Sequence, residues 1–352
     1  MTRRVLALVA VALLGMSACT RSTGVTASNA KPMDVFAAGP SVADVRSLLG
    51  DDRWWPMYPT FGVRPLKAAS LPLTERFDIT QRFRHIGTPE HFLIDYVAWD
   101  STSSATTAMS NVEAQLGTSI SGPKAGDQVL YYGTQESSGA ALFVFTIFVR
   151  VGPVVIQAEW TRAEAHPGLT LLGKIANLLA GRVKDVLSGR VHPSPLATTD
   201  SALLPPLNND VTLLGAAKLP IEVVATLFLE VATPQEIIAP FTNLGVKNLV
   251  YADYALNSDV SMEVRAVEFS FADQSQASSW INAFVGSNNL DAEGIFSTYA
   301  SALGMYVYIF TSGIHGAMVL CSAAVTGEAA SRACESPMVG FIAAWRRSLA
   351  SA

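Results

Sequence analysis

The sequence predicts an α+β protein with two similar domains, each an antiparallel sheet with helices packed on one face. The segment from Met262 to Val285 changes from strand-like alternation of its apolar residues to helical spacing, so a half-buried strand runs directly into an amphipathic helix. A second such unit lies earlier, between Phe92 and Leu116. After each unit come three strand-like segments, the last two joined by a short glycine-containing turn, which favours antiparallel pairing.

The chain starts with two arginines, Arg3 and Arg4, followed by the uninterrupted apolar run Val5–Leu14. This run is too short to span a bilayer but has the length of a signal-peptide core. It ends in Leu-Gly-Met-Ser-Ala-Cys, so small residues lead directly into Cys19. One interpretation of this segment is an ordinary secretory signal, which is cleaved near Ala18 and leaves an unmodified cysteine.

The segment before Cys19 resembles the lipobox of bacterial lipoproteins. In that family the signal peptide is removed before the cysteine, and the thiol takes a diacylglycerol. The resemblance implies that residues 1–18 are a lipoprotein signal peptide and that Cys19 is the lipidated first residue. Residues 19–32, rich in small and polar side chains, then form a flexible tether. The acylated Cys19 would hold the protein at the extracytoplasmic face of the cell membrane.

The first domain is predicted over residues 33–190. A short helix, Ser41–Leu49, begins at a serine cap and is followed by Gly50. Two prolines in residues 51–61 argue against a regular strand there, so a loop or irregular cover is expected. The expected strands and closing helix of this domain are Phe77–Ile86, Phe92–Trp99, Val129–Tyr132, Leu142–Val149, Val154–Trp160 and a helix over Leu171–Leu187.

Residues 191–209 contain two proline-rich stretches and are predicted to be a linker. The second domain, residues 210–352, then repeats the order of the first. Its expected elements are one or two helices in Pro220–Val231 and Pro234–Phe241, strands in Leu249–Ala255, Met262–Phe271, Ile295–Tyr299, Met305–Thr311 and Ala317–Ala323, and a closing helix in Met338–Leu349.

Only three cysteines are present: Cys19, Cys321 and Cys334. Acylation of Cys19 leaves an even pair, which predicts a Cys321–Cys334 disulfide in an oxidising compartment. Such a bond would tie a strand to the loop before the closing helix. The alternative, a redox or metal-binding pair, lacks the close cysteine spacing and histidine cluster that such sites use.

The most distinctive candidate binding residues are the aromatic side chains of the proline-containing segment: Trp54, Trp55, Tyr58 and Phe61. One interpretation is a stacking surface for a sugar or lipid ligand, with Asp51, Asp52 and Arg53 as polar partners. The other is that Trp54, Trp55 and Phe61 cover the core of the first domain. Phe143, Phe145 and Phe148 are further candidates if they line an open sheet face.

No motif indicates catalysis, a cofactor or a metal. The five histidines are scattered, and neither a Gly-x-Ser-x-Gly elbow nor a phosphate-binding glycine loop occurs. His91 and Asp95 fall on one strand face and are expected to form at most a hydrogen-bonded pair, and Glu159 is expected to pair with Arg162. The formal net charge of −5 argues against nucleic acid as a partner.

The overall layout resembles the large class of actinobacterial surface lipoproteins, whose functions are poorly defined. The leading hypothesis is a non-catalytic, lipid-anchored protein that binds a lipid, a small molecule or a partner protein of the cell envelope. Two alternatives stay open: an envelope hydrolase whose site is assembled from distant residues, and a structural subunit of a membrane complex.

Overall fold

The computed structural model describes residues 32–62, 75–136, 142–163, 168–191, 196–226, 233–259, 262–301, 303–323 and 327–352. The predicted signal peptide, Cys19 and nearly all of the tether lie outside these ranges. The chain divides into two compact units, Met1–Pro193 and Ser194–Ala352. Each unit contains one antiparallel sheet with helices, which confirms the α+β class.

The first unit contains four helices and seven strands within the described ranges. In chain order these are α1 (Pro32–Ala37), α2 (Val42–Leu49), β1 (Trp54–Pro56), β2 (Thr60–Gly62), β3 (Glu75–His85), β4 (His91–Trp99), α3 (Thr102–Leu116), β5 (Gln128–Glu136), β6 (Leu142–Val151), β7 (Val154–Arg162) and α4 (Leu169–Leu187). The sheet order is β1-β3-β4-β7-β6-β5, and β2 also pairs with β3.

The proline-containing segment after α2 forms two strands where the sequence predicts a loop or irregular cover. Each has three residues and pairs with β3, so the ladder is interrupted between them. Pro56 is the last residue of β1, which is an edge strand. Its missing N–H therefore removes no hydrogen bond from the centre of the sheet. The prolines thus shorten the strands and do not abolish them.

The second unit has the strand order β11-β12-β13-β10-β9-β8, all antiparallel. Its elements are α5 (Thr198–Ser201), β8 (Val211–Pro220), α6 (Glu222–Ala225), α7 (Pro234–Thr242), β9 (Asn248–Leu256), β10 (Met262–Ser270), α8 (Gln274–Phe284), β11 (Ile295–Ala300), β12 (Met305–Ser312), β13 (His315–Ala323), α9 (Glu328–Ser331) and α10 (Glu335–Leu349), with short 3-10 helices at Ser287–Asn289 and Arg332–Cys334.

Helices cover both faces of the second sheet, whereas the sequence predicts them on one face only. On one face, Phe269 of β10 contacts Trp280 of α8, with ring centroids 4.7 Å apart. On the other face, Val264 and Ala266 share a buried cluster with residues of α10 such as Phe341 and Trp345. Strand β10 is buried on both faces in its second half, so each face needs a cover.

The second half of the predicted linker packs against the second unit. Trp345 Nε1 donates a hydrogen bond to the carbonyl of Leu203 at 2.8 Å, and Tyr254 Oη donates to that of Pro205 at 3.4 Å. Leu203 and Leu204 also contact the apolar cluster beneath α10. Residues 198–205 therefore belong structurally to the second unit.

The disulfide between Cys321 and Cys334 is present, with Cα atoms 6.0 Å apart. Both cysteines are fully buried in the cluster between the sheet and α10. Cys321 lies in β13 and Cys334 immediately precedes α10, so the bond fastens the start of the closing helix to the sheet, as predicted.

Candidate functional site

Three of the four predicted aromatic ligand contacts are buried inside the first unit. Trp54, Tyr58 and Phe61 are 1%, 4% and 2% exposed, and only Trp55 is partly exposed. Trp54 packs edge-on against His85 at 5.3 Å between ring centroids, and Phe61 lies 5.5 Å from Phe36. These rings have no free face for a sugar or lipid. For them, the structure agrees with the interpretation that the segment covers the core.

The histidine that packs against Trp54 contacts Asp51, which lies 34 residues earlier in the chain. His85 is 4% exposed; its Nε2 lies 3.0 Å from Asp51 Oδ2 and its Nδ1 lies 2.8 Å from Thr88 Oγ1. Hydrogen bonds from the Arg53 side chain and backbone, followed by that from His85, hold the pKa of Asp51 below its usual range. The Asp51 carboxylate, the His85 imidazole and the Thr88 hydroxyl are thus linked by successive contacts.

This order of groups is the one that serine hydrolases use to activate a hydroxyl nucleophile. Thr88 Oγ1, however, also accepts a 3.4 Å hydrogen bond from the backbone N–H of Glu90, inside the turn between β3 and β4. His85 N–H donates to the Glu90 carbonyl at 3.0 Å in that turn. The same contacts therefore hold the hairpin and fasten the residues after α2 to it.

A second polar group lies on one face of the first sheet, beside the apolar cluster that α3 covers. Thr80 donates a short hydrogen bond to Asp95, which pairs with it across β3 and β4. His91 Nε2 lies 3.0 Å from Thr161 Oγ1 and 3.8 Å from Glu159 Oε1. His91 and Asp95 do share a face, but each has its own partner.

Asp95 is the most perturbed carboxyl group of this face. Burial raises its pKa, and the negative charge of Glu159 raises it further, against the lowering effects of the Thr80 hydroxyl and Arg82. Arg162, expected to pair with Glu159, lies three residues from it on β7, so the two side chains point to opposite faces. Its Nε is 4.0 Å from Glu90 Oε2.

The second unit contains an open pocket with a volume of about 270 Å³ at the ends of β8, β9 and β10. Six polar side chains line it: Asp200, Lys218, Lys247, Asn248, Glu268 and Ser270. Lys218 Nζ lies 3.1 and 3.2 Å from the two carboxylate oxygens of Asp200. The remaining lining residues are Leu203, Gly245, Val246, Leu249 and Val250.

One lining residue of this pocket, Glu268, contacts a buried histidine that lies behind it, His315. Glu268 and His315 are 1% and 5% exposed, and His315 Nδ1 lies 2.7 Å from Glu268 Oε1. Ser270, which is exposed, donates to the same oxygen at 2.7 Å and lies 3.2 Å from His315 Nδ1. We refer to Glu268, Ser270 and His315 as the carboxylate cluster.

The carboxylate cluster differs from a catalytic triad in the imidazole nitrogens that its members contact. A triad needs the acid on one imidazole nitrogen and the serine on the other, so that the free lone pair accepts the hydroxyl proton. Here Glu268 and Ser270 both face Nδ1. When the Nδ1 proton is donated to Glu268, this nitrogen has no lone pair for Ser270. The arrangement fixes a negative charge and a hydroxyl at the pocket wall.

Sequence reasoning missed both histidine clusters because their members are far apart in the chain. Asp51 and His85 are separated by 34 residues, and Glu268 and His315 by 47. The one local signal was the i, i+2 spacing of Glu268 and Ser270 on a strand, which places both on one face. Within the described ranges no group of three or more potential metal ligands occurs, and no helix is long and apolar enough to cross a membrane.

No protein-family model matches this sequence, and no curated protein matches it. Among solved structures, the extracellular domain of PknH from Mycobacterium tuberculosis aligns over 46% of this chain and 100% of its own length. Its sequence identity is 11% and the TM-score is 0.36. The di-domain ARO/CYC StfQ from the steffimycin biosynthetic pathway aligns over 93% and 95%, with 8% identity and a TM-score of 0.19. Both TM-scores are too low to support an argument about function.

Proposed function

We propose that this protein is a lipid-anchored, extracytoplasmic binding protein without catalytic activity, and that its ligand site is the pocket of the second unit. Two features support the location. The apolar run before Cys19 has the form of a lipoprotein signal, and the Cys321–Cys334 disulfide suits an oxidising compartment. The partner on the membrane side is the bilayer itself, through the acylated Cys19.

The observation that carries the binding assignment is the open pocket with charged groups fixed around it. Glu268 is held by His315 and Ser270, while Lys218 is held by Asp200, so the polar groups do not have to reorganise when a ligand enters. Pockets for drug-sized ligands occupy roughly 300–1,000 Å³. A volume of about 270 Å³ suits a small polar molecule, or the polar end of a larger envelope molecule.

The ligand is tested on the full-length protein, extracted from membranes in mild detergent and examined by native mass spectrometry. We expect an additional bound mass in the wild type and its loss in Lys218→Ala, because that change removes one of the two lysines that line the pocket, the one held by Asp200. Lys174→Ala is the matched control, since Lys174 is an exposed lysine on α4 of the first unit. A wild-type protein without bound mass, or equal occupancy in both variants, contradicts the assignment.

The anchor is tested separately from the ligand. In Cys19→Ser we expect the protein to leave the membrane fraction, because no thiol remains to carry the diacylglycerol. Mass spectrometry of the wild type should show the lipid on the peptide that begins at Cys19. If this peptide is unmodified and the variant stays in the membrane fraction, the lipoprotein assignment is wrong.

One observation favours the hydrolase alternative: the Asp51–His85–Thr88 chain of contacts. An active site there would make Thr88 the nucleophile and His85 its base. A fluorophosphonate probe distinguishes the two proposals. Labelling of Thr88 in the wild type, absent in His85→Ala, would make the protein an enzyme. An unlabelled wild type is the result we expect.

A further inference from the structure

The pocket of the second unit is lined by a buried carboxylate that uses only one of its two oxygens. Glu268 is 1% exposed, and its Oε1 lies 2.7 Å from both His315 Nδ1 and Ser270 Oγ. Within the described part of the chain no hydrogen bond reaches Glu268 Oε2, and this oxygen is not fully buried. Because Glu268 lines the pocket, Oε2 is accessible to a group that enters it.

The protein partners of Glu268 satisfy one oxygen and leave the other for a ligand. A carboxylate oxygen only accepts hydrogen bonds, so His315 Nδ1 carries the proton of the 2.7 Å contact. Ser270 contributes a hydroxyl to the same oxygen. Burial of a carboxylate is costly unless the group is paired and hydrogen-bonded. The second oxygen therefore favours a ligand group that donates hydrogen bonds and carries a positive charge.

The other charged side chains that line the pocket are Asp200, Lys218 and Lys247. Lys218 Nζ lies 3.1 and 3.2 Å from the two carboxylate oxygens of Asp200, so these two charges are paired. Lys247 is exposed and forms no ion pair with any residue in the described ranges. The pocket thus has two charges without an oppositely charged partner, a basic one on Lys247 and an acidic one whose Oε2 is accessible, on Glu268.

The two charges lie close enough for one small molecule to contact both. Val250 of β9 pairs with Glu268 of β10, and Lys247 lies three residues before Val250, or about 10 Å along the strand. The backbone of Lys247 is fixed, since its carbonyl accepts a 3.0 Å hydrogen bond from Ile221 N–H. Its side chain has a flexible four-carbon stem, which allows the ammonium group to approach a ligand bound at Glu268.

Provided that this pocket is the ligand site proposed above, we infer that its ligand is a small zwitterion. The ammonium group of the ligand binds Glu268 Oε2, and its anionic group binds Lys247. Hydrogen bonds between ionised groups are about twice as strong as neutral ones. A ligand with a single charge leaves either Glu268 or Lys247 without a partner. Free amino acids and the ethanolamine phosphate head group of a phospholipid share this chemistry.

Isothermal titration calorimetry on the full-length protein in mild detergent tests the charge pattern of the ligand. The zwitterionic probes are glycine, β-alanine, γ-aminobutyrate and glycerophosphoethanolamine, while butylamine and butyrate carry one charge each. We expect at least one zwitterion to bind, with butylamine and butyrate at least about tenfold weaker, because each lacks one charge-assisted contact. Binding of an amino acid indicates a free small molecule as the source, and binding of glycerophosphoethanolamine alone indicates a lipid head group. If no zwitterion binds, or if a singly charged probe binds equally well, the inference is wrong.

Two substitutions test where the charges of the ligand bind. Glu268→Gln keeps an oxygen for His315 and Ser270 but removes the charge, so the affinity for the zwitterion should fall at least about tenfold. Lys247→Ala should have a similar effect and leave the fold intact, since Lys247 is exposed. Glu328→Gln, the same change at an exposed residue of α9, is the matched control and should bind as the wild type does. Unchanged affinity in Glu268→Gln or in Lys247→Ala overturns the assignment.

The result can be separated from the test of the pocket itself. A co-purified mass that is lost in Lys218→Ala, together with no binding of any zwitterion, refutes the zwitterion and leaves the pocket as the ligand site. The absence of both a co-purified mass and zwitterion binding refutes the two proposals together.

Discussion

Each of the two buried histidines in the described part of the chain, His85 and His315, lies against a carboxylate, but their surroundings differ. His85 stands between Asp51 and Thr88, one on each ring nitrogen. His315 presents a single nitrogen to Glu268 and Ser270. A buried imidazole needs hydrogen-bond partners wherever it lies, and the first arrangement meets this need at both nitrogens. In the second, Glu268 and Ser270 line the pocket of the second unit.

At the residue scale, Asp95 should make the protein less stable as the pH rises. A carboxyl whose pKa is raised in the folded state binds its proton more tightly there than in the unfolded chain, where the value is about 3.9. Its favourable contribution is complete below that value and is lost as the pH rises through the folded-state pKa.

Asp95→Asn should therefore raise the urea midpoint of the first unit at pH 7, because the amide keeps a partner for Thr80 without a buried charge. Below about pH 4 the gain should disappear, since the wild-type carboxyl is then protonated in both states. Asp100→Asn, at an exposed position beyond the end of β4, is the control and should change little. An increase in the urea midpoint that is the same at every pH would contradict a raised pKa of Asp95.

At the element scale, one tryptophan fastens α8 to the second sheet. Trp280 is fully buried and its ring contacts four phenylalanines, with centroid distances from 4.7 to 5.8 Å: Phe241, Phe269, Phe271 and Phe284. Two of these lie on or just after β10 and one lies on α7, so the cluster joins two helices to the sheet.

Trp280→Ala should lower the free energy of unfolding of the second unit by about 3–5 kcal/mol, because it removes a large buried side chain and leaves a cavity. Val339→Ala on α10 is the matched apolar truncation, since Val339 is 71% exposed, and it should cost no more than about 0.5 kcal/mol. Denaturant unfolding measures both. A similar loss in the two variants would mean that the cluster is not what holds α8.

The strand–helix units could be predicted because their periodicity is local. The expected strand over Phe92–Trp99 is β4 to within one residue, and the helix after it is α3. Strand β8 could not be predicted in this way. Its middle reads Leu-Leu-Gly-Ala-Ala, with little alternation and low β-propensity, and it contains a register shift. It is a strand because β9 beside it offers a partner.

The candidate site was less predictable than the fold. Local sequence identified the exceptional aromatic content of residues 54–61 but could not show that Trp54 and Phe61 face inward. The disulfide followed from counting cysteines. The carboxylate cluster depends on the pairing of β10 with β13, which aligns Ser270 with His315, and that register is set by the whole sheet.

At the scale of the whole molecule, the two units should unfold in separate transitions, because each has its own sheet and buried core. The double variant Cys321→Ser, Cys334→Ser should destabilise the second unit by about 3 kcal/mol, since a disulfide across 13 residues restricts its unfolded chain. In calorimetry one transition should fall by about 6–12 °C while the other stays in place. A shift of both transitions would contradict separate unfolding.

The position of the disulfide also orders the biogenesis of the second unit. Cys321 lies in the last strand of its sheet, and Cys334 follows every strand of that sheet in the chain. If the chain is exported as proposed, oxidation has to wait until every strand of this sheet has crossed the membrane. An alkylating reagent added to cells during export would then modify Cys321 and Cys334 only on chains whose second unit is unfinished. The presence of the Cys321–Cys334 bond thus shows that all strands of the second sheet have been synthesised.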